Sequence, residues 1–369
     1  MSPYAAAPAR RDDARGPQPK VLVTGAGGFI GHHLTSYLKG LGYWVRGVDV
    51  KAPEYAASDA DEFLLLDLRR WEHCLAATAG VDEVYALAAD MGGMGFISRH
   101  HAQILHNNIL ISTHTLDAAR ENGVGRYLYT SSACIYPEYR QLTADVTPLR
   151  EEDAYPAQPQ DAYGWEKLVT ERLCAHYAEE HGLETRVVRF HNIFGPLGTW
   201  DGGREKAPAA MCRKVAEAKR TGRLEVDIWG DGEQTRSFCY IDDCVEGIYR
   251  LMRSDYREPL NLGQDRLISI NQLADMVARA AGVRVEKRHV PGPQGVRGRN
   301  SDNSRLREVL GWEPTISLED GVARTYAWVE AQVRARAAAE APAGAPGVAP
   351  VVAPAGALRT PSRGSTLTA

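Results

Sequence analysis

A doubly wound parallel α/β fold carrying a smaller C-terminal α/β lobe is predicted by three observations. Short apolar runs alternate with helix-period segments through the first half of the chain. A glycine-rich turn follows the first of these runs directly. After about residue 195, glycine and proline become frequent and the apolar runs shorten. Alternating buried strands and helices imply right-handed crossovers and a parallel sheet.

The elements follow in order. Residues 1–19, rich in Ala, Pro, Arg and Gly, read as a disordered lead-in. Apolar runs at 21–23, 45–48, 63–66, 83–87, 127–130 and 184–190 read as strands. Helix-period segments at 29–41, around 70–79, at 107–122 and at 163–181 separate several of them. Residues 20–195 are therefore expected to form the sheet domain, with return segments near 237–252. Residues 196–335 make the smaller lobe. From 336 to 369 the chain is low-complexity Ala/Pro/Gly with nothing to build a core, and it reads as a disordered tail.

Composition narrows the function classes. Of 369 residues, 44% are hydrophobic and 24% charged, as in ordinary soluble globular chains. A formal net charge of -4 argues against a basic nucleic-acid footprint. The N-terminus has no continuous apolar run, so neither a signal peptide nor a membrane anchor is expected. The six cysteines show no Cys-x-x-Cys spacing, and the clustered histidines have no carboxylate or thiol partner at ligand spacing. No metal is expected, and scattered unpaired cysteines point to the reducing cytoplasm.

Residues 21–31 read VLVTGAGGFIG. A strand running into Gly25, Gly27, Gly28 and Gly31 and then into a helix suits a pyrophosphate. The turn needs unusual dihedrals, the backbone must touch the phosphates, and the helix must pack closely on the strand. Phe29 and Ile30 open that helix, whose free N–H groups and positive dipole end face the anion. Asp49, closing the second strand, would accept from an adenosine ribose and repel a 2′-phosphate, which favours NAD over NADP. Arg46 and Lys51 flank it and would soften that repulsion. Asp67, after the third strand, is either an adenine contact or a helix N-cap.

Tyr163 and Lys167 lie one helical turn apart on one face, and Ser132 ends the fifth strand upstream. A hydroxyl, a phenol and an ammonium so arranged handle a proton while hydride leaves the same carbon. The phenol, ordinarily near 10, is expected to be lowered by the ammonium and by a positive nicotinamide ring. The plainer alternative is a surface Tyr/Lys pair at helical spacing.

With these residues in place, the chain resembles the extended short-chain dehydrogenases acting on nucleotide sugars, a Rossmann-type family. Among them it looks most like the GDP-mannose 3,5-epimerases. The segments carrying the resemblance are ALAADMGGMGF at 86–96, SSACIYPE at 131–138, PQDAYGWEK at 159–167, RFHNIFGPLGTWDGGREKAPAA at 189–210, WGDGEQTRSF at 229–238 and PGPQGVRGRNSDN at 291–303. They span roughly residues 20–330. A 4,6-dehydratase would carry an Asp-Glu pair where this chain has Ala133-Cys134.

The resemblance implies NAD as cofactor, GDP-mannose as substrate and a homodimer, the last also suggested by the long helices at 107–122 and 163–181. It implies Cys134 as base and Lys206 as acid at the carbons flanking a transient ketone. As a plain structural residue Cys134 would be a small buried hydrophobe. It further implies that Gly92, Ser132, Ala133, Asn192, Glu205 and Ala207 contact the sugar nucleotide, together with Lys214, Gln234, Thr235, Arg236 and Arg299. The two arginines suit a pyrophosphate, with an interdomain ion pair as the alternative. The stretches between Lys214 and Trp229 and before His289 run slightly longer than the family pattern. Another nucleotide-sugar epimerase or dehydratase, or a non-catalytic dinucleotide sensor, would share the fold.

Overall fold

The computed structural model describes residues 18–340. The expected lead-in up to residue 17 and the Ala/Pro-rich stretch from 341 onward lie outside the described residues. The chain runs β1 (Lys20–Thr24), α1 (Phe29–Gly40), β2 (Trp44–Asp49), β3 (Glu62–Leu65), α2 (Trp71–Thr78), β4 (Glu83–Ala86), α3 (Met94–Ile97), α4 (His101–Glu121), β5 (Arg126–Ser132), α5 (Ala162–His181) and β6 (Glu184–Phe190). It continues with β7 (Ile193–Phe194), α6 (Ala207–Thr221), β8 (Glu225–Trp229), β9 (Thr235–Ser237), β10 (Cys239–Tyr240), α7 (Ile241–Arg253) and β11 (Leu260–Leu262). The last elements are β12 (Leu267–Ser269), α8 (Ile270–Ala280), β13 (Glu286–Val290), β14 (Gly298–Arg299), α9 (Ser304–Leu310) and α10 (Leu318–Glu340).

Seven parallel strands make the central sheet in the order β11-β6-β5-β4-β1-β2-β3. The strand period of two sends alternate residues of β1 to opposite faces. Val21 and Val23 join the core shared with Leu34 and Leu38 of α1 and Ile248 of α7. Leu22 joins the other, with Leu116 of α4 and Cys174 of α5. Both faces of the sheet are thus covered, as parallel strands require. Six strands match the apolar runs. The seventh, β11, is a three-residue Leu-Asn-Leu segment placed by its register, Leu260 beside Val188.

The first of these two cores does not stop at residue 195: it takes in Val215 of α6, Leu273 of α8 and Val329 of α10. α10 also runs through Glu340, so the first five residues of the expected disordered tail, 336–340, are helical. Arg336 explains the extension, since its guanidinium pairs with Asp201 and with Glu217 at 2.6 Å.

Local signals set the helix ends. Asp161 caps α5, accepting from the Gly164 N–H at 2.9 Å, and Gly182 closes it at φ 70°. Ser269 and Gln272 form a reciprocal capping box on α8. α1 is different: its cap, Gly28, has no side chain to offer, and no acid sits in the first turn. The first-turn N–H groups of α1 are therefore left uncapped for an outside anion, while those of Ala26, Gly27 and Gly28 bond within the turn and to β2.

Candidate active site

At the end of β1 the backbone turns through Gly25 at φ +71°. A Cβ on Gly27 would stand 2.1 Å from the Lys51 carbonyl oxygen, and one on Gly31 would stand 2.1 Å from that of Gly25. These are backbone atoms that a side chain cannot push aside. The turn is thereby held against β2, where Asp49 accepts from Gly27 N–H at 3.0 Å and Lys51 N–H at 3.2 Å. Burial pushes the Asp49 carboxyl up, opposed by those N–H groups. Phe29 and Ile30 pack into the core beside the turn. The Gly27–Gly28 turn lines a pocket with Phe29, Lys51, Tyr55 and Leu197. A cradle that any Cβ would fill, an uncapped helix N-terminus and a half-buried strand-end carboxylate fit a dinucleotide.

The neighbours of Asp49 are engaged differently from the sequence expectation. Arg46 pairs with Glu62 at 2.6 Å and donates to the carbonyls of Ala77 and Ala79, which turns its charge away from the cofactor cleft. Asp67 does not cap α2, whose N-cap is Arg70. It accepts instead from the backbone and guanidinium of Arg69, 2.7 Å away.

α5 brings Tyr163 and Lys167 to the end of β5. Both are buried, and the Lys167 ammonium lies 5.5 Å from the Tyr163 ring and 4.7 Å from that of Tyr129. Within the protein itself, burial opposes the lowering expected of the phenol. Burial raises Tyr163 well above its ordinary value, Glu166 and Cys134 add to the rise, and the Ser132 hydroxyl bonded to it opposes. Burial likewise pushes Lys167 down against the pull of Glu166, 3.8 Å away. The physical reason is shared: a low-dielectric pocket disfavours charge on either group.

Beyond β5 the chain makes a tight turn in which Ser132 Oγ accepts the Cys134 N–H at 3.1 Å. Cys134 is half-buried against Phe96, Ile104 and Tyr163, while the other five cysteines are buried. Arg299 Nη1 donates to its sulfur at 3.2 Å. Lys206, at the N-terminus of α6, is lowered by burial, with Cys134 opposing, so the thiol and ammonium sense one another. Arg236 lies beside Arg299 in the parallel pair β9–β14. Its guanidinium, pushed down to about 9 by burial and by Arg299, donates to the carbonyls of Thr235 and Val296. Among the described residues neither arginine forms an ion pair with a carboxylate, so the interdomain ion-pair alternative has no partner here.

The remaining expected contacts fall around this centre. Ala133 is buried in the Ser132–Cys134 turn, and Gly92 is buried against Phe96. Asn192 is held at φ 49° by its amide bond to Ser237 O, 2.8 Å long. Glu205 accepts from Gly203 N–H and Arg213, and Ala207 opens α6 on the surface. Lys214 donates to Asp227 O at 2.5 Å beside Trp229. Gln234 donates to Trp229 O, leaving its own buried Oε1 without a partner, and Thr235 Oγ1 bonds to Ala144 O. Among the described residues no three His, Cys, Asp or Glu gather as a metal site, and no helix is long and apolar enough to cross a membrane.

Two residues escaped the sequence reading. A Cβ on Gly164 would sit 2.2 Å from the Cys134 carbonyl, so only glycine lets α5 carry Tyr163 against the Cys134 turn. A Cβ on Gly93 would sit 2.4 Å from Glu205 O, where the loop before α3 docks on the segment bearing Lys206. A glycine inside the first turn of a helix was the available signal.

Known proteins align with this arrangement. The chain is 54% identical over 316 residues to GDP-mannose 3,5-epimerase 1 of Oryza sativa subsp. japonica, covering 85% of this chain and 82% of the rice protein. It is equally identical to the GDP-mannose 3,5-epimerase of Arabidopsis thaliana, covering 83% of that protein. The solved UDP-glucose 4-epimerase of Thermotoga maritima superposes with a TM-score of 0.77 at 28% identity, over 85% of this chain and 99% of that one. The sequence model of the NAD dependent epimerase/dehydratase family matches residues 21–263. With its glycine cradle, Tyr163/Lys167 pair and seven-stranded parallel sheet, the chain belongs to the NAD-dependent epimerase/dehydratase family.

Proposed function

We propose that this chain converts GDP-mannose to GDP-L-galactose, and to GDP-L-gulose when only one centre is inverted, through a transient ketone at carbon 4. The observation that carries the reading is a second proton-handling set beside the first. Cys134 packs against Tyr163, and its thiol opposes the lowering of the Lys206 ammonium by burial. An enzyme that only inverted carbon 4 would have no use for that second set. Identity of 54% to 3,5-epimerases supports the same reading.

NAD, held by the Gly25–Gly31 turn and Asp49, would supply the hydride-accepting ring when bound. Tyr163, beside Ser132 and Lys167, would take the proton from the carbon-4 hydroxyl once the positive ring draws its phenol down against burial. The ketone acidifies the hydrogens on carbons 3 and 5. Cys134 removes one, and Lys206, lowered by burial and so a willing donor, returns a proton on the other face. Arg236 and Arg299, adjacent and without carboxylate partners, offer positive charge to an anionic substrate.

The test is to run the reaction in heavy water. Deuterium should enter carbons 3 and 5 and never carbon 4; label at carbon 4 would overturn the direct hydride return. The same protein should act as a homodimer through α4 and α5, where Leu105, Trp165 and Val169 are 40%, 44% and 51% exposed. Apolar side chains so exposed on two packed helices suit a two-fold contact.

A further inference from the structure

Gln141 sits where the turn after Pro137 ends and is 0% exposed. Its amide orientation is dictated by its partners. The Nε2 group donates to the carbonyls of Tyr136 at 3.0 Å and Pro137 at 3.2 Å. A carbonyl only accepts, so the amino group must face those two oxygens and Oε1 must face the opposite way. There it accepts from Arg299 Nε at 2.6 Å. The backbone carbonyl of Gln141 also accepts from Arg297 and Gly298 N–H, at 3.0 and 3.2 Å, which stitches this loop to β14.

The guanidinium is planar and rigid, so holding one edge fixes the other. With Nε bound by Gln141, Nη1 is directed at the Cys134 sulfur, 3.2 Å away. We propose that Gln141 is a positioning residue for the epimerisation step: it aims Arg299, and Arg299 holds the Cys134 sulfur in place for proton removal. This rests on the reading of Cys134 as the base. Gln141 lies in none of the segments that handle the carbon-4 proton, so its loss should separate the two halves of the reaction.

The experiment uses the NAD-loaded enzyme with GDP-mannose in heavy water, following deuterium at carbons 3 and 5 by NMR and carbon-4 oxidation by NADH absorbance. Gln141→Leu keeps the volume and removes the acceptor. Its deuterium exchange should fall about ten- to a hundred-fold, the scale of a misplaced catalytic group. NADH formation at saturating GDP-mannose should stay within about three-fold, while KM is free to rise because Arg299 also faces the substrate. Should the leucine variant not fold, Gln141→Asn, whose acceptor is drawn back by one methylene, takes its place with the same expectation.

Exchange within about three-fold of the parent would overturn the proposal. So would parallel loss of exchange and oxidation, which a merely structural role produces. Cys134→Ala separates the two levels. If that variant still exchanges at the parental rate, the assignment of Cys134 fails; if it does not exchange while Gln141→Leu does, only the role of Gln141 fails.

Discussion

Burial moves Tyr163 up and Lys167 and Lys206 down, so all three groups are pushed toward neutrality. For an acid that is a graded advantage: a lysine held below its ordinary value gives up a proton more readily. It also limits the pH range, because the ammonium is lost sooner as pH rises. The alkaline limb of kcat should therefore fall below the ordinary lysine value, and Lys206→Arg should carry it to higher pH while lowering the maximum rate. A limb unchanged in Lys206→Arg would remove Lys206 from the proton path. Cys134→Ala should still reduce bound NAD while proton exchange falls about 10² to 10⁴-fold, and Tyr163→Phe should abolish both signals, since no ketone forms. The residue scale also settles the cofactor preference. Arg46 is committed to Glu62 and two carbonyls, which leaves the Asp49 carboxylate to repel a 2′-phosphate. NADP should bind at least tenfold more weakly than NAD, about 1.4 kcal/mol, as titration calorimetry would measure.

Between residue and fold, the site depends on close approach of elements. α5 reaches the Cys134 turn only because Gly164 has no side chain. Gly164→Ala should cost about 1–3 kcal/mol of stability, the range for forcing an atom into a packed contact. Activity should fall further than stability, because the shift moves Tyr163 and Cys134 relative to each other. A variant with parental kcat and melting temperature would show that the helix has room to spare. Six strands and the helices α1, α2, α4 and α5 were readable beforehand as apolar runs or helix-period stretches of sufficient length, although α4 begins at His101 rather than 107 and the single-turn α3 was missed. β11 was not readable, because three residues carry no period; only the exposed edge of β6 calls it into the sheet. The end of α10 was missed for a different reason: an Ala-rich stretch is read as low complexity until Arg336 is seen anchored to Asp201 and Glu217.

For the whole molecule, one buried core runs from β1 through the C-terminal lobe to α10, so the lobe that carries Lys206 and the two arginines is packed onto the same sheet as α5, which carries Tyr163. The exposed apolar side chains on α4 and α5 lie outside that core. Trp165→Glu with Val169→Glu should shift the protein from dimer to monomer in light scattering at micromolar concentration, with the sheet intact by circular dichroism; a dimer that survives both changes must use another face. The sequence alone determined the parallel sheet, the glycine cradle and the Tyr163/Lys167 pair, because each is a local pattern whose period or spacing acts within a few residues. Only the tertiary structure decided that Gln141 grips Arg299 and Arg299 meets Cys134, and that burial pushes the phenol up. Those contacts join segments more than a hundred residues apart, and the dielectric around a side chain is set by everything packed against it, which no local pattern records.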